Sequence, residues 1–214
     1  MLWAYFDESG VHAPKEQGSR LLKLAAGGCI APLDAWESLS ISWADAIDRM
    51  GIEQFHMADF ENRAKPFDKW SDGERKKNLN ILLDIIGSAK PNCFGFTNPA
   101  RADDSTSSMY ERCVHDTLVE LSMHPEEFAI VFAHHPEYAR HSELHGKMAQ
   151  YGLGQNIRSC TTALPIDVHP LQAADLVAYE IGREERHSWT IPRRYPLRRL
   201  HDLGCTFRLG GAVE

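Results

Sequence analysis

Five apolar residues, Leu2-Trp3-Ala4-Tyr5-Phe6, run without a break into Asp7-Glu8-Ser9-Gly10. Successive side chains of a strand point to opposite faces, so an uninterrupted apolar run reads as a strand buried on both faces. A sheet built around it needs cover on each side. The run ends on two carboxylates. Desolvating an unpaired carboxylate costs on the order of several kcal/mol. The remedies are a raised pKa, a basic partner or a divalent cation.

Period and punctuation supply the rest of the layers. Leu2 to Phe6 is the first strand, and Leu21 to Ile30 the second. Pro32 opens a helix to about Met50. Gln54 to Phe60 reads as short and extended or irregular. Ser71-Asp72-Gly73-Glu74 is a capping box that starts a helix ending at Gly87. Cys93 to Thr97 is a third strand, and Ser108-Met109-Tyr110-Glu111 is a second capping box, opening a helix that turns Val114, Leu118 and Leu121 inward. Phe128 to Phe132 and Asn156 to Leu164 are the fourth and fifth strands, with a helical stretch from Pro136 to Tyr151 between them. Pro170 begins a last helix, and an irregular Arg-rich tail follows from about residue 186. With 214 residues, 43% apolar and 25% charged, the expectation is a single domain over 1–214.

Several classes fall away. No apolar run reaches the roughly 20 residues of a membrane span, and the N-terminus lacks a basic, apolar leader, so a cytoplasmic protein with no membrane partner is expected. The five cysteines are widely spaced without a CxxC, which argues against a disulfide framework and a thiolate zinc site. A net charge of -7 disfavours non-specific coating of nucleic acid but leaves room for a local basic groove. Ser9 sits in no GxSxG elbow, and Gly27-Gly28 lies within a strand pattern rather than a phosphate loop. His141 and His145 stand one helical turn apart but without HExxH, which favours a solvated face.

On the late helix, Leu171, Gln172, Asp175, Ala178 and Tyr179 share one face. Asp175 therefore looks toward the core among small and apolar neighbours, with the same need for a partner as Asp7. A buried arginine or hydroxyl would meet that need; a cation shared with Asp7 would meet both.

The segments Tyr5-Phe6-Asp7-Glu8-Ser9-Gly10, Phe55-His56 with Asp59, and Leu171-Gln172-Ala173-Ala174-Asp175-Leu176-Val177-Ala178-Tyr179 resemble, in that order, the motifs of the bacterial and phage family called domain of unknown function 3800. The resemblance spans about Leu2 to Arg183. It implies a ribonuclease-H-like α/β fold: a five-stranded mixed sheet, three strands antiparallel and two parallel, with helices on both faces. It also implies that Asp7 on the first strand and Asp175 on the last helix bind Mg2+ or Mn2+, with Glu8 and His56 as further catalytic candidates. Hard oxygen ligands suit those ions. In a regular strand Glu8 points away from Asp7, so it reaches the site only if the strand ends there. The chain departs from the superfamily after the fourth strand, where Ala133-His134-His135-Pro136-Glu137 replaces the usual third carboxylate. His134 is then a metal-ligand candidate, with His135 and Glu137 as alternatives, against the reading of a solvated strand end.

Between Arg183 and His201 lie Arg183, Arg186, Arg193, Arg194, Arg198 and Arg199, with Trp189 and Tyr195 interleaved. Arg183, Arg186, Arg193 and Arg194 are the nucleic-acid-binding candidates, since cations among aromatics suit phosphates and bases. Pairing with Glu184 and Glu185, or contact with a partner protein or a second copy, is the competing reading. The function expected is a metal-dependent phosphodiester hydrolase, a nuclease acting on DNA or RNA. The alternatives are a non-catalytic module binding nucleic acid or a protein in a defence or mobile-element system, and a hydrolase of small phosphorylated molecules.

Overall fold

Strand β1 (Leu2–His12) pairs antiparallel with β2 (Leu21–Ala31), which pairs antiparallel with β3 (Asn92–Pro99). The computed structural model describes residues 1–12, 21–101, 103–134, 141–150, 152–184 and 194–211. On the other side of β1 lie β4 (Phe128–Ala133) and then β5 (Ile157–Ala163), both parallel to it. Among the described residues the sheet has six strands in the order β5-β4-β1-β2-β3-β6, one more than expected.

The sixth strand corrects the reading of the tail. Tyr195–Asp202 is a helix, α7, with a proline in its first turn, and Thr206–Gly211 is β6, parallel to β3. Leu197, Leu200 and Cys205 are buried, so the segment is anchored by its own apolar residues and covers the edge that β3 would otherwise expose. Its periodicity is hidden because the helix is a bare two turns and the strand is rich in glycine.

Helices cover both faces, as the unbroken apolar run of β1 demands. Tyr5, Cys29 and Val131 face one layer, made by α1 (Leu33–Met50), α3 (Asp72–Ala89), α6 (His169–Arg183) and α7. Ala4, Phe6 and Phe132 face the other, made by α4 (Thr106–Ser122) with Met148 and Leu144 of α5 (His141–Gln150). The capping box at Ser71 forms as the sequence predicts, but α4 begins earlier than expected, with Ser105 accepting the N–H of Ser108. The segment read as extended or irregular holds a short helix, α2 (Met57–Glu61). Phe67 packs edge to face against Phe55, Phe60 and Trp70, with Phe55 tilted against Phe60, and this aromatic cluster holds the polar loop at 62–66 in place.

The fit of α6 to the sheet positions the site. A Cβ on Gly27 would stand 2.6 Å from the Ala178 Cα, and one on Gly95 2.7 Å from the Ile181 Cδ1. Those glycines let the helix axis approach β2 and β3 more closely than any side chain would allow. Gly27 is the cross-strand partner of Asp7.

Candidate active site

A cavity of about 740 Å³ opens beside the middle of β1, at the C-terminal end of β4, lined among others by Asp7, Glu8, His56, Asp59, His134 and Asp175. Ligands in α/β sheets favour this edge, where parallel strands end and loops begin. The structure thus brings together the catalytic and metal candidates from the first strand, the middle motif, the end of the fourth strand and the last helix.

Asp7 lies on the α6 face, and the Glu8 N–H donates to its Oδ1 at 2.8 Å. The expectation that Glu8 reaches the site only if β1 stops at Asp7 is corrected. The strand continues to His12, but β4 pairs with β1 only as far as Phe6 opposite Phe132 and ends at Ala133. Beyond that point β1 has no strand on that side among the described residues, so side chains from either face can turn into the gap left by β4.

Asp175 is 5% exposed. Its Oδ2 accepts the Met57 N–H at 2.6 Å, and its Oδ1 stands 3.8 Å from His56 Nε2. The other ring nitrogen of His56, Nδ1, meets Asp59 Oδ2 at 2.9 Å. His56 is therefore held between two carboxylates. His134 stands exposed at the rim, its N–H donating to the Ala163 carbonyl at 2.8 Å.

The electrostatics follow from crowding. Burial pushes the Asp7 carboxyl well above its usual range, and the nearby Glu8 and Asp175 push it further. Glu8 rises to about 7, again mainly through burial. Asp175 rises to about 6 by burial, although His56 and the Met57 N–H pull the other way. For His56, burial works against the charged ring, yet Asp175 and Asp59 outweigh it and the net shift is upward. Among the described residues no lysine or arginine pairs with Asp7, Glu8 or Asp175. Nor is any group of three or more His, Cys, Asp or Glu there arranged to hold a metal ion.

Gln172 is a site residue that the sequence left without a role. Fully buried, it accepts from Trp43 Nε1 and from the Phe55 N–H, each at 2.9 Å, and donates to the Pro165 carbonyl at 2.9 Å. Lying one turn before Asp175, it ties the His56 segment and the turn after β5 to the same helix. Its placement on the Asp175 face was the available signal.

The basic candidates among the described residues, Arg183 and Arg194, lie elsewhere. Arg194 forms an ion pair with the buried Glu180, and the guanidinium of Arg183 sits 3.5 Å above the Tyr179 ring. Arg199 pairs with Asp84. Arg194 and Arg199 hold the C-terminal segment to the body, Arg183 stacks within its own helix, and none of the three is among the residues lining the cavity. Arg186 and Arg193 lie outside the described residues, as do Trp189, His135 and Glu137. Among the described residues no helix is long and apolar enough to cross a membrane. Comparison with family models, with curated proteins and with solved structures finds no match for this chain.

Proposed function

We propose that this protein is a divalent-metal-dependent phosphodiester hydrolase, specifically a nuclease, of ribonuclease-H-like fold and akin to the domain of unknown function 3800 family. The observation that carries the proposal is the group formed by the half-buried carboxylates Asp7 and Glu8 and the buried Asp175, converging on one cavity without a basic ion-pair partner among the described residues. Such a group repels itself at neutral pH, and a cation relieves it. The β1-β2-β3 meander with β4 and β5 parallel beyond β1 supports the fold, with β6 as an added edge.

The donor set fits a hard ion: all oxygen, no thiolate. Asp7 and Asp175 would hold Mg2+ or Mn2+, and Mg2+ in particular is commonly held by one or two carboxylates, with water and substrate phosphate completing its shell. Once bound, the ion supplies charge neutralisation at the phosphodiester and a lowered pKa for an attacking water. Glu8 lines the same cavity and would serve as the proton acceptor for the attacking water. His56, oriented through Nδ1 by Asp59, presents its other nitrogen beside Asp175 and is placed to deliver a proton to the leaving oxygen. His134 borders the same opening.

The test is hydrolysis of bis(4-nitrophenyl) phosphate and of labelled oligonucleotides by the purified chain with Mn2+ or Mg2+. Metal-dependent turnover that falls on the order of a hundredfold or more in Asp7→Asn and Asp175→Asn supports the proposal. Turnover that survives both substitutions refutes it. Oligonucleotide binding without any turnover favours the non-catalytic module.

A further inference from the structure

Resting on that reading, we infer that the nucleic-acid substrate is held outside the catalytic cavity, in a cationic groove beside it, where Arg75 and Lys76 of α3 meet backbone phosphates and Tyr195 of α7 packs against a sugar. The groove, of about 410 Å³, is lined by Phe60, Asp72, Arg75, Lys76, Leu79 and Tyr195. It shares a wall with the cavity. Phe67 lines the cavity and Phe60 the groove, and their rings pack edge to face with centroids 5.6 Å apart. Helix α2, with His56 at its N-cap on the cavity and Phe60 on the groove, borders both recesses. A helix with its side chains is about 10 Å wide, so a polymer bound in the groove reaches the carboxylates within a few nucleotides.

Charge divides the labour between the two recesses. The cavity is lined by Asp7, Glu8, Glu53, Asp59 and Asp175 against a single described cation, Lys65. Such a lining repels a polyanion, whose affinity for a protein comes mainly from lysines and arginines set against its phosphates. In a chain of net charge -7 those cations have to be concentrated locally, and the groove concentrates them.

Neither Arg75 nor Lys76 has an ion pair with a carboxylate among the described residues. The carboxylate described in the groove, Asp72, is met by Arg63, which does not line it. The positive charge of the groove is therefore left for a ligand.

The groove is also preorganised. The Arg75 guanidinium carbon stands 4.2 Å from the centroid of the Phe60 ring and the group donates to the Phe60 carbonyl, so the aromatic cluster behind His56 fixes it. Tyr195 is 43% exposed, yet its hydroxyl donates to Asn80 Oδ1 at 2.6 Å, which holds the ring in place at the surface. Side chains already held in one geometry lose little freedom on binding. An exposed aromatic among cations is the combination that nucleic-acid backbones and their sugars and bases recruit.

The experiment uses the full chain with Mn2+, labelled DNA and RNA oligonucleotides, and bis(4-nitrophenyl) phosphate, which is too small to extend from the carboxylates into the groove. Lys76→Glu is expected to raise the oligonucleotide KM about tenfold while kcat holds, and Tyr195→Ser to raise it about fivefold. Lys76→Gln should lower the salt slope of oligonucleotide binding by about one. The control is Lys77→Glu, the same change of charge one residue on, where the side chain lines a different recess with Arg49; there the oligonucleotide KM should stay within twofold of the parent. An oligonucleotide KM within twofold of the parent in either Lys76→Glu or Tyr195→Ser, or one raised as far by Lys77→Glu as by Lys76→Glu, overturns the inference, while bis(4-nitrophenyl) phosphate turnover keeps the phosphodiesterase reading. If neither small nor polymeric substrate is hydrolysed, the phosphodiesterase reading fails and this inference falls with it.

Discussion

Asp175 carries a charge that the fold accommodates poorly. Burial raises its carboxyl from 3.8 to about 6, so at pH 8 the folded chain holds an anion that water would hold more cheaply. Asp175→Asn retains an acceptor for the Met57 N–H and removes the charge. We expect the metal-free variant to be more stable than the parent at pH 8 by on the order of 1–3 kcal/mol, and to have lost its turnover. Urea denaturation of both proteins at pH 8 checks the first outcome. Gln172 is the opposite case, a buried polar group whose hydrogen bonds to Trp43, Phe55 and Pro165 are all made inside the protein. Gln172→Leu orphans those partners, and each buried orphan costs about 1–3 kcal/mol. The expected destabilisation is therefore about 2–5 kcal/mol, read from the same denaturation curves. Gln172→Glu, which keeps both acceptor bonds, should fall between.

At the scale of the element, α6 matters because of how near it lies to the sheet. Gly27 and Gly95 make that approach possible, and with it the meeting of Asp175 with Asp7. Gly27→Val forces a side chain against the Ala178 backbone, where nothing can rotate away. Overpacking of this kind costs roughly 1–3 kcal/mol. Because the helix must move, metal-dependent turnover should drop along with the melting temperature, whereas an exposed substitution such as Ile41→Val, at a position 73% exposed, should alter neither. The role of Gly27 was only partly legible: Gly27-Gly28 read correctly as strand rather than phosphate loop, but that α6 lies against Gly27 is set by the fold. The same holds for Glu8. Its reach into the cavity depends on where β4 ends, a property of the neighbouring strand that no window around Glu8 contains.

For the whole molecule, the crowded carboxylates tie stability to pH and to cations. A carboxyl whose pKa is higher in the folded than in the unfolded chain holds more protons when folded, so the unfolding free energy falls as pH rises between the two values. Asp175 moves from 3.8 to about 6 and Glu8 from 4.5 to about 7. Metal-free protein should therefore lose stability as pH climbs from about 4 to about 7, opposite to the trend of a protein held by salt-bridged carboxylates. Mn2+ or Mg2+ should flatten that slope by favouring the ionised forms, and a chelator should restore it. Thermal unfolding across this range, with and without the ion, measures both. A stability that rises through the window would show that the carboxylates are better solvated than their burial indicates.

The sequence by itself determined the layers and two ends of the site. An unbroken apolar strand demands cover on both faces, strand and helix periods are local, and a carboxylate at Asp7 or Asp175 announces its need for a partner wherever it is buried. Only the tertiary structure decided that Glu8 joins them, that Gln172 ties together the segments around them, that Arg194 serves Glu180 rather than the cavity, and that the tail returns as a sixth strand. The physical reason is common to all four. Each depends on contacts between segments far apart in the chain, where a neighbour's ending, a glycine's missing side chain or a buried countercharge sets the outcome, and no local pattern records it.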